Sequence, residues 1–69
     1  MPSSVIRSFD YDPAARELSV HFRTGRRYLY FGVPPEEVEA FRTSGSLGRY
    51  FNRRIRERYR FRELAREDP

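Results

Sequence analysis

Polar and apolar residues alternate most cleanly from Glu17 to Phe22, where Leu18, Val20 and Phe22 share one side and Glu17, Ser19 and His21 the other. A repeat of two residues is the period of a β-strand with one buried face. An opening segment holding Val5, Ile6, Phe9 and Tyr11 is β-rich with weaker alternation, and Arg27 to Phe31 supplies a third strand. Asp12-Pro13-Ala14-Ala15 separates the first two, because proline fixes φ and the aspartate can bond the backbone beyond it. Three short strands joined by tight turns predict an antiparallel meander.

The second turn decides which way Tyr28 and Tyr30 face. A two-residue loop at Thr24-Gly25 needs positive φ at Thr24, which a β-branched residue resists. It would set His21 opposite Tyr28 and turn both tyrosines to the polar side. A three-residue loop, Arg23-Thr24-Gly25, with Gly25 in the left-handed bulge position, avoids that strain. It pairs Val20 with Tyr28 and Leu18 with Tyr30, so both rings join the core while their hydroxyls reach an edge.

Gly32-Val33-Pro34-Pro35 breaks the sheet, and proline followed by Glu36 and Glu37 is a helix start favoured by the dipole. A first helix is expected to about Thr43, with Val38 and Phe41 inward, ending at Ser44-Gly45. Ser46 caps a second helix predicted from Leu47 to about Glu57, with Leu47, Tyr50, Phe51 and Ile55 on one stripe. After it, Tyr59 and Phe61 alternate with Arg58, Arg60 and Arg62, an extended strap over the core. The predicted fold is α+β: a three-stranded antiparallel β-meander packed by two short helices, with an extended C-terminal strap. The expected core is Leu18, Val20, Phe22, Tyr28, Tyr30, Val38, Phe41, Tyr50, Phe51 and Ile55.

At 69 residues, with no cysteine, the chain holds one small domain without a disulfide, thiolate metal site or cysteine nucleophile. Its longest apolar stretch, residues 28–33, is far short of the roughly 20 residues a membrane helix needs. No signal segment opens the chain, since Arg7 and Asp10 interrupt the candidate, and a cytoplasmic protein with no membrane partner is expected. Charge alters the picture more. All fourteen basic residues are arginine, the net charge is +4, and Arg49 to Arg62 holds seven arginines against one acid, Glu57. A basic block with interleaved aromatics is the electrostatic footprint of a nucleic-acid binder. A solvated helix face, or codon usage that favours arginine, accounts for the same composition.

Several motifs occur together in order: Ser3-Ser4 before a short strand, Tyr11-Asp12-Pro13, Leu18-x-Val20-x-Phe22 and Gly25. Tyr28-Leu29-Tyr30-Phe31-Gly32-Val33-Pro34 follows, then Ser46-Leu47-Gly48-Arg49-Tyr50-Phe51-Asn52 and Ile55-Arg56. This set resembles the KTSC domain, named for its occurrence at the C-terminus of some lysyl-tRNA synthetases and also found free-standing in bacteria and phages. The resemblance runs from about Ser3 to Phe61 and implies a stand-alone copy. Residues 3–62 are therefore expected to form the domain and 63–69 a flexible C-terminal tail. The synthetase association implies RNA binding and no catalytic residue. This chain departs from the family where Arg60 replaces a proline between the last two aromatics, which loosens the strap and adds a charge.

At about 100° per residue, Arg49, Arg53 and Arg56 fall within roughly 60° on the helix face opposite the apolar stripe. With Arg26 and Arg27 at the hairpin and Arg58, Arg60 and Arg62 on the strap, they are the expected nucleic-acid surface. A guanidinium fork matches two phosphate oxygens at once and stacks on unpaired bases. His21, Leu29 and Phe31, on the outer sheet face, would add a stacking platform. Such contacts hold phosphates without reading base edges, so RNA or another single strand bound with weak sequence specificity is expected. Arg54 lands beside the apolar stripe and must lay its stem along the core or pair with a carboxylate.

Nothing here reads as an enzyme. His21 is the only histidine, the serines suit strands, turns and caps, and no cofactor or metal site is implied. Asp10 and Asp12 fall short of the six or more oxygens calcium takes. A domain this small is also not expected to enclose a pocket of about 300–1,000 Å³. The rival reading is a protein–protein interaction module, as a homodimer or docked to an acidic partner, using an open sheet edge or the same arginine stripe.

Overall fold

A computed structural model describes residues 6–64. Ser3, Ser4 and Val5, and residues 65–69 of the expected tail, lie outside the described residues. Strands β1 (Ile6–Asp12), β2 (Glu17–Phe22) and β3 (Arg27–Phe31) form the expected meander. A fourth, β4 (Phe61–Leu64), pairs antiparallel with β3 and extends the sheet to the order β1-β2-β3-β4. The end of the strap is thus a strand, while Arg58 and Tyr59 still belong to the turn that leaves the π-helical stretch before it, and the count is four rather than three. The Phe31 amide donates to the Arg60 carbonyl at 2.9 Å, just before the ladder begins. The pairing covers the backbone edge of β3 that the meander alone would leave open. It also carries the sheet two residues beyond Arg62, the expected domain limit.

Both turns obey their local chemistry. Asp12 accepts from the Ala14 and Ala15 amides at 3.1 and 3.4 Å. At the second hairpin, Gly25 donates to the Phe22 carbonyl at 3.0 Å with φ of +95°, and Phe22 donates to the Arg26 carbonyl at 2.9 Å. That is the three-residue loop with a glycine bulge. It yields the pairs Leu18–Tyr30 and Val20–Tyr28, so both tyrosines face the core side.

Helix α1 (Pro35–Arg42) has proline in its first turn, Glu36 and Glu37 near its positive end, and Thr43 as its C-cap. Helix α2 (Leu47–Tyr50) is capped by the Ser46 hydroxyl, which accepts from the Arg49 amide at 3.3 Å. Its expected continuation to Glu57 is not α-helical: Phe51–Ile55 is a π-helical segment, closed by the Arg56 amide donating to the Phe51 carbonyl at 2.8 Å. The wider turn still directs Phe51 and Ile55 inward, and both are buried.

Both helices pack on one face of the sheet. The buried core is Ile6, Leu18, Val20, Tyr30, Val33, Val38, Phe41, Phe51 and Ile55. Ile6 and Val33 were not on the expected list, whereas Phe22, Tyr28 and Tyr50 are half-buried at its margin. Aromatic contacts bind the layers: Phe9 to Phe41 at 4.6 Å between centroids, and Phe51 to Phe22 and Tyr30, both at 5.4 Å. Each such pair adds about 0.5–1.5 kcal/mol beyond the area it buries.

Candidate nucleic-acid interface

The expected arginine surface is distributed over three places. Arg49 and Arg53 border a concavity of about 570 Å³ with Arg54, Tyr50 and the Ser44-Gly45-Ser46 turn, and no acidic side chain lines it. Arg56 belongs to a different one. The π segment holds an extra residue per turn, so positions after it lag behind an α-helical projection. Arg56 accordingly lines a groove on the hairpin side, with Arg26. Arg27, opposite His21, lies by register on the outer sheet face, as do Arg62, opposite Leu29, and Arg60, opposite Phe31. His21, Leu29 and Phe31 are half-exposed there.

Among the described residues the ion pairs are Arg42–Glu39 and Arg26–Glu63, the latter at 3.9 Å. Arg49, Arg53, Arg56, Arg58, Arg60 and Arg62 are exposed and belong to neither. Arg54 forms no ion pair among the described residues and is exposed; its guanidinium carbon lies 5.9 Å from the Tyr50 ring centroid, and its charge acts on Glu37 from a distance.

Glu37 is the buried acid, 9% exposed. It accepts from the Tyr50 hydroxyl and, at 2.9 Å, from the Tyr59 hydroxyl. Burial alone would raise its pKa; the two hydrogen bonds, with Arg54 and Arg58 nearby, outweigh burial and hold the carboxyl below its usual range. Tyr59 is pushed up to about 12, by burial first and then by the bond to Glu37. This clamp ties α1, α2 and the approach to β4 at one point.

Sequence reasoning missed the groove that Arg56 borders. About 760 Å³ in volume and open to solvent rather than enclosed, it lies between the β2–β3 hairpin and the π segment. Phe22, Tyr28, Tyr30, Phe51 and Phe61 floor it; Arg23, Arg26 and Arg56 stand around it with Thr24, Asn52 and Glu57. Tyr30 is pushed up to about 12 by burial and by Tyr28, against the pull of Arg56. Phe61 remains 52% exposed, stacked on Tyr30 at 5.3 Å and edge-on to Tyr28 at 5.6 Å. The signal was present in Tyr28-x-Tyr30 and Phe61, but it becomes a site only when β4 pairs beside β3.

A four-stranded antiparallel sheet, two helices on one face and open arginine-bordered concavities define a small α+β domain with a basic surface. The chain belongs to the KTSC domain family, whose model matches residues 2–59. The solved KTSC domain protein of Yersinia pestis superposes with a TM-score of 0.88 at 35% identity, covering 94% of this chain and 92% of that one. An uncharacterized protein of Stutzerimonas stutzeri is 48% identical over 52 residues, 75% of this chain and 73% of its own. A lysine–tRNA ligase of Nostoc punctiforme is 36% identical over 62 residues, 90% of this chain but 11% of the ligase. The domain therefore occurs both in small proteins and within synthetase homologues. No helix among the described residues is long and apolar enough to cross a membrane.

Proposed function

We propose that this protein is a non-catalytic binder of single-stranded nucleic acid, RNA in preference to duplex, with weak sequence specificity and a cytoplasmic site of action. The observation that carries this reading is the concavity at the start of α2, where Arg49, Arg53 and Arg54 gather with no acid in the lining. Arginines held by α2 and by the π segment that continues it offer several donor forks at fixed spacing, which suits successive phosphates. Domain occurrence in lysine–tRNA ligases, proteins named for a tRNA substrate, favours RNA among polyanions.

Fluorescence anisotropy with a labelled single strand across a salt series tests it. Log affinity falls linearly with log salt, by about 0.7 per phosphate contact for a single strand. Changing Arg49 and Arg53 together to Glu lowers that slope by about 1.4 while leaving the circular dichroism unchanged. An unaltered slope in that variant removes the helix face from the interface.

A further inference from the structure

We propose that the aromatic groove seats one unpaired base of the bound strand, stacked on Phe61, with the adjoining phosphate held by Arg56 and Arg23. This rests on the nucleic-acid reading above and adds to it a second site with its own chemistry. Phe61 is the large hydrophobic side chain left exposed among the described residues, yet it does not hang loose. Tyr30 stacks beneath it with planes inclined by 30°, and Tyr28 meets it edge-on at 87°. Its plane is set before a ligand arrives, so little rotamer freedom is lost on binding.

The surroundings select the ligand class. A floor of five aromatic rings suits a flat, apolar surface, and every base has such a face. Around it Arg23, Arg26 and Arg56 outnumber Glu57, so the occupant is anionic as well as flat. Arg26 is paired with Glu63 at 3.9 Å, whereas Arg23 and Arg56 are in no ion pair among the described residues; Arg56 donates only to the neutral Asn52 Oδ1, at 3.4 Å, so both keep their charge for a phosphate. At about 760 Å³ the groove lies in the range of small-ligand sites. Paired bases cannot enter without leaving their stack, so the groove discriminates single strand from duplex. Thr24, Asn52 and Glu57 supply few polar groups, consistent with weak preference among bases.

The test uses the full chain with three fluorescein-labelled probes: a mixed-sequence single-stranded RNA, the same backbone made abasic, and an RNA duplex. Wild type binds the RNA at least fivefold more tightly than the abasic strand. Phe61→Ala loses about 5- to 150-fold for the RNA, the range spanned by one base–aromatic stack, with the abasic affinity and salt slope unchanged. Phe61→Tyr retains wild-type affinity. Equal wild-type binding of the RNA and abasic strands overturns the base seat while leaving phosphate binding intact. So does a Phe61→Ala variant that binds the RNA like wild type. Failure of every probe to bind at low salt overturns both readings. A concentration-dependent dimer abolished by Phe61→Ala shows a second copy in the groove and also overturns the seat. The abasic comparison needs no variant, so the outcome does not depend on Phe61→Ala folding.

Discussion

Replacing Glu37 by Ala removes the acceptor shared by the Tyr50 and Tyr59 hydroxyls. A hydrogen bond to a charged group contributes about 1.5–3 kcal/mol. Both hydroxyls are only part-buried, so water recovers some of that loss, and a net cost of about 2–3 kcal/mol follows. A domain of this size has a total stability of about 3–10 kcal/mol. The substitution therefore removes a large share of it. Urea titration followed by circular dichroism reads the change: at a slope of about 1 kcal/mol per molar, the midpoint falls by about 2–3 M.

The acid limb provides a second reading from the same carboxylate. Its folded pKa lies below the ordinary value of 4.5, so its stabilisation is present above that value and is lost as pH falls through the folded one. Glu37→Gln carries no such proton, and its stability declines less steeply than wild type below pH 4.5. A Glu37→Ala midpoint within about 0.5 M of wild type refutes the clamp. An acid limb identical in Glu37→Gln refutes the electrostatic part of the argument. The consequence reaches the groove as well, because Tyr59 precedes Phe61 by two residues and anchors the chain entering β4.

At the alkaline end the sign reverses. Tyr30 and Tyr59, both raised from 10 to about 12, stabilise the fold fully below pH 10, and that contribution is lost as pH climbs toward 12. Tyr50 is raised in the same direction, by burial and by its bond to Glu37, so absorbance titration of tyrosinate should show Tyr30, Tyr50 and Tyr59 ionising late, together with unfolding; early ionisation of all five tyrosines contradicts it. Gly25→Ala meets no atom within 4 Å, so its cost is conformational alone, about 1–2 kcal/mol for a side chain held at positive φ. Thermal unfolding at a wild-type midpoint in that variant would mean the hairpin has another accessible loop.

Much of the architecture was legible because it follows from local rules. Alternation from Glu17 to Phe22, the aspartate–proline turn and the intolerance of Thr24 for positive φ together specify the meander and its register, and the tyrosines face the core as those rules require. The Ser46 cap and the two-proline helix start are equally local. The ordered motifs around Tyr28-x-Tyr30 were enough to point to the family.

What the chain's own pattern left undecided depends on contacts between distant segments. Arg58 to Arg62 reads as extended along its whole length; that the segment turns first and becomes an edge strand only from Phe61 is decided by the backbone groups β3 leaves unpaired, some thirty residues away. The π segment shifts Arg56 away from Arg49 and Arg53, and a projection at uniform α-helical pitch cannot register that shift. Glu37 read as one of two dipole-stabilising acids until folding brought Tyr50 and Tyr59 to its oxygens. Hydrophobic period and turn chemistry act over a few residues and so survive in a linear string. The groove and the clamp exist only where three remote segments meet, because burial, charge and ring stacking there depend on distances through space rather than along the chain.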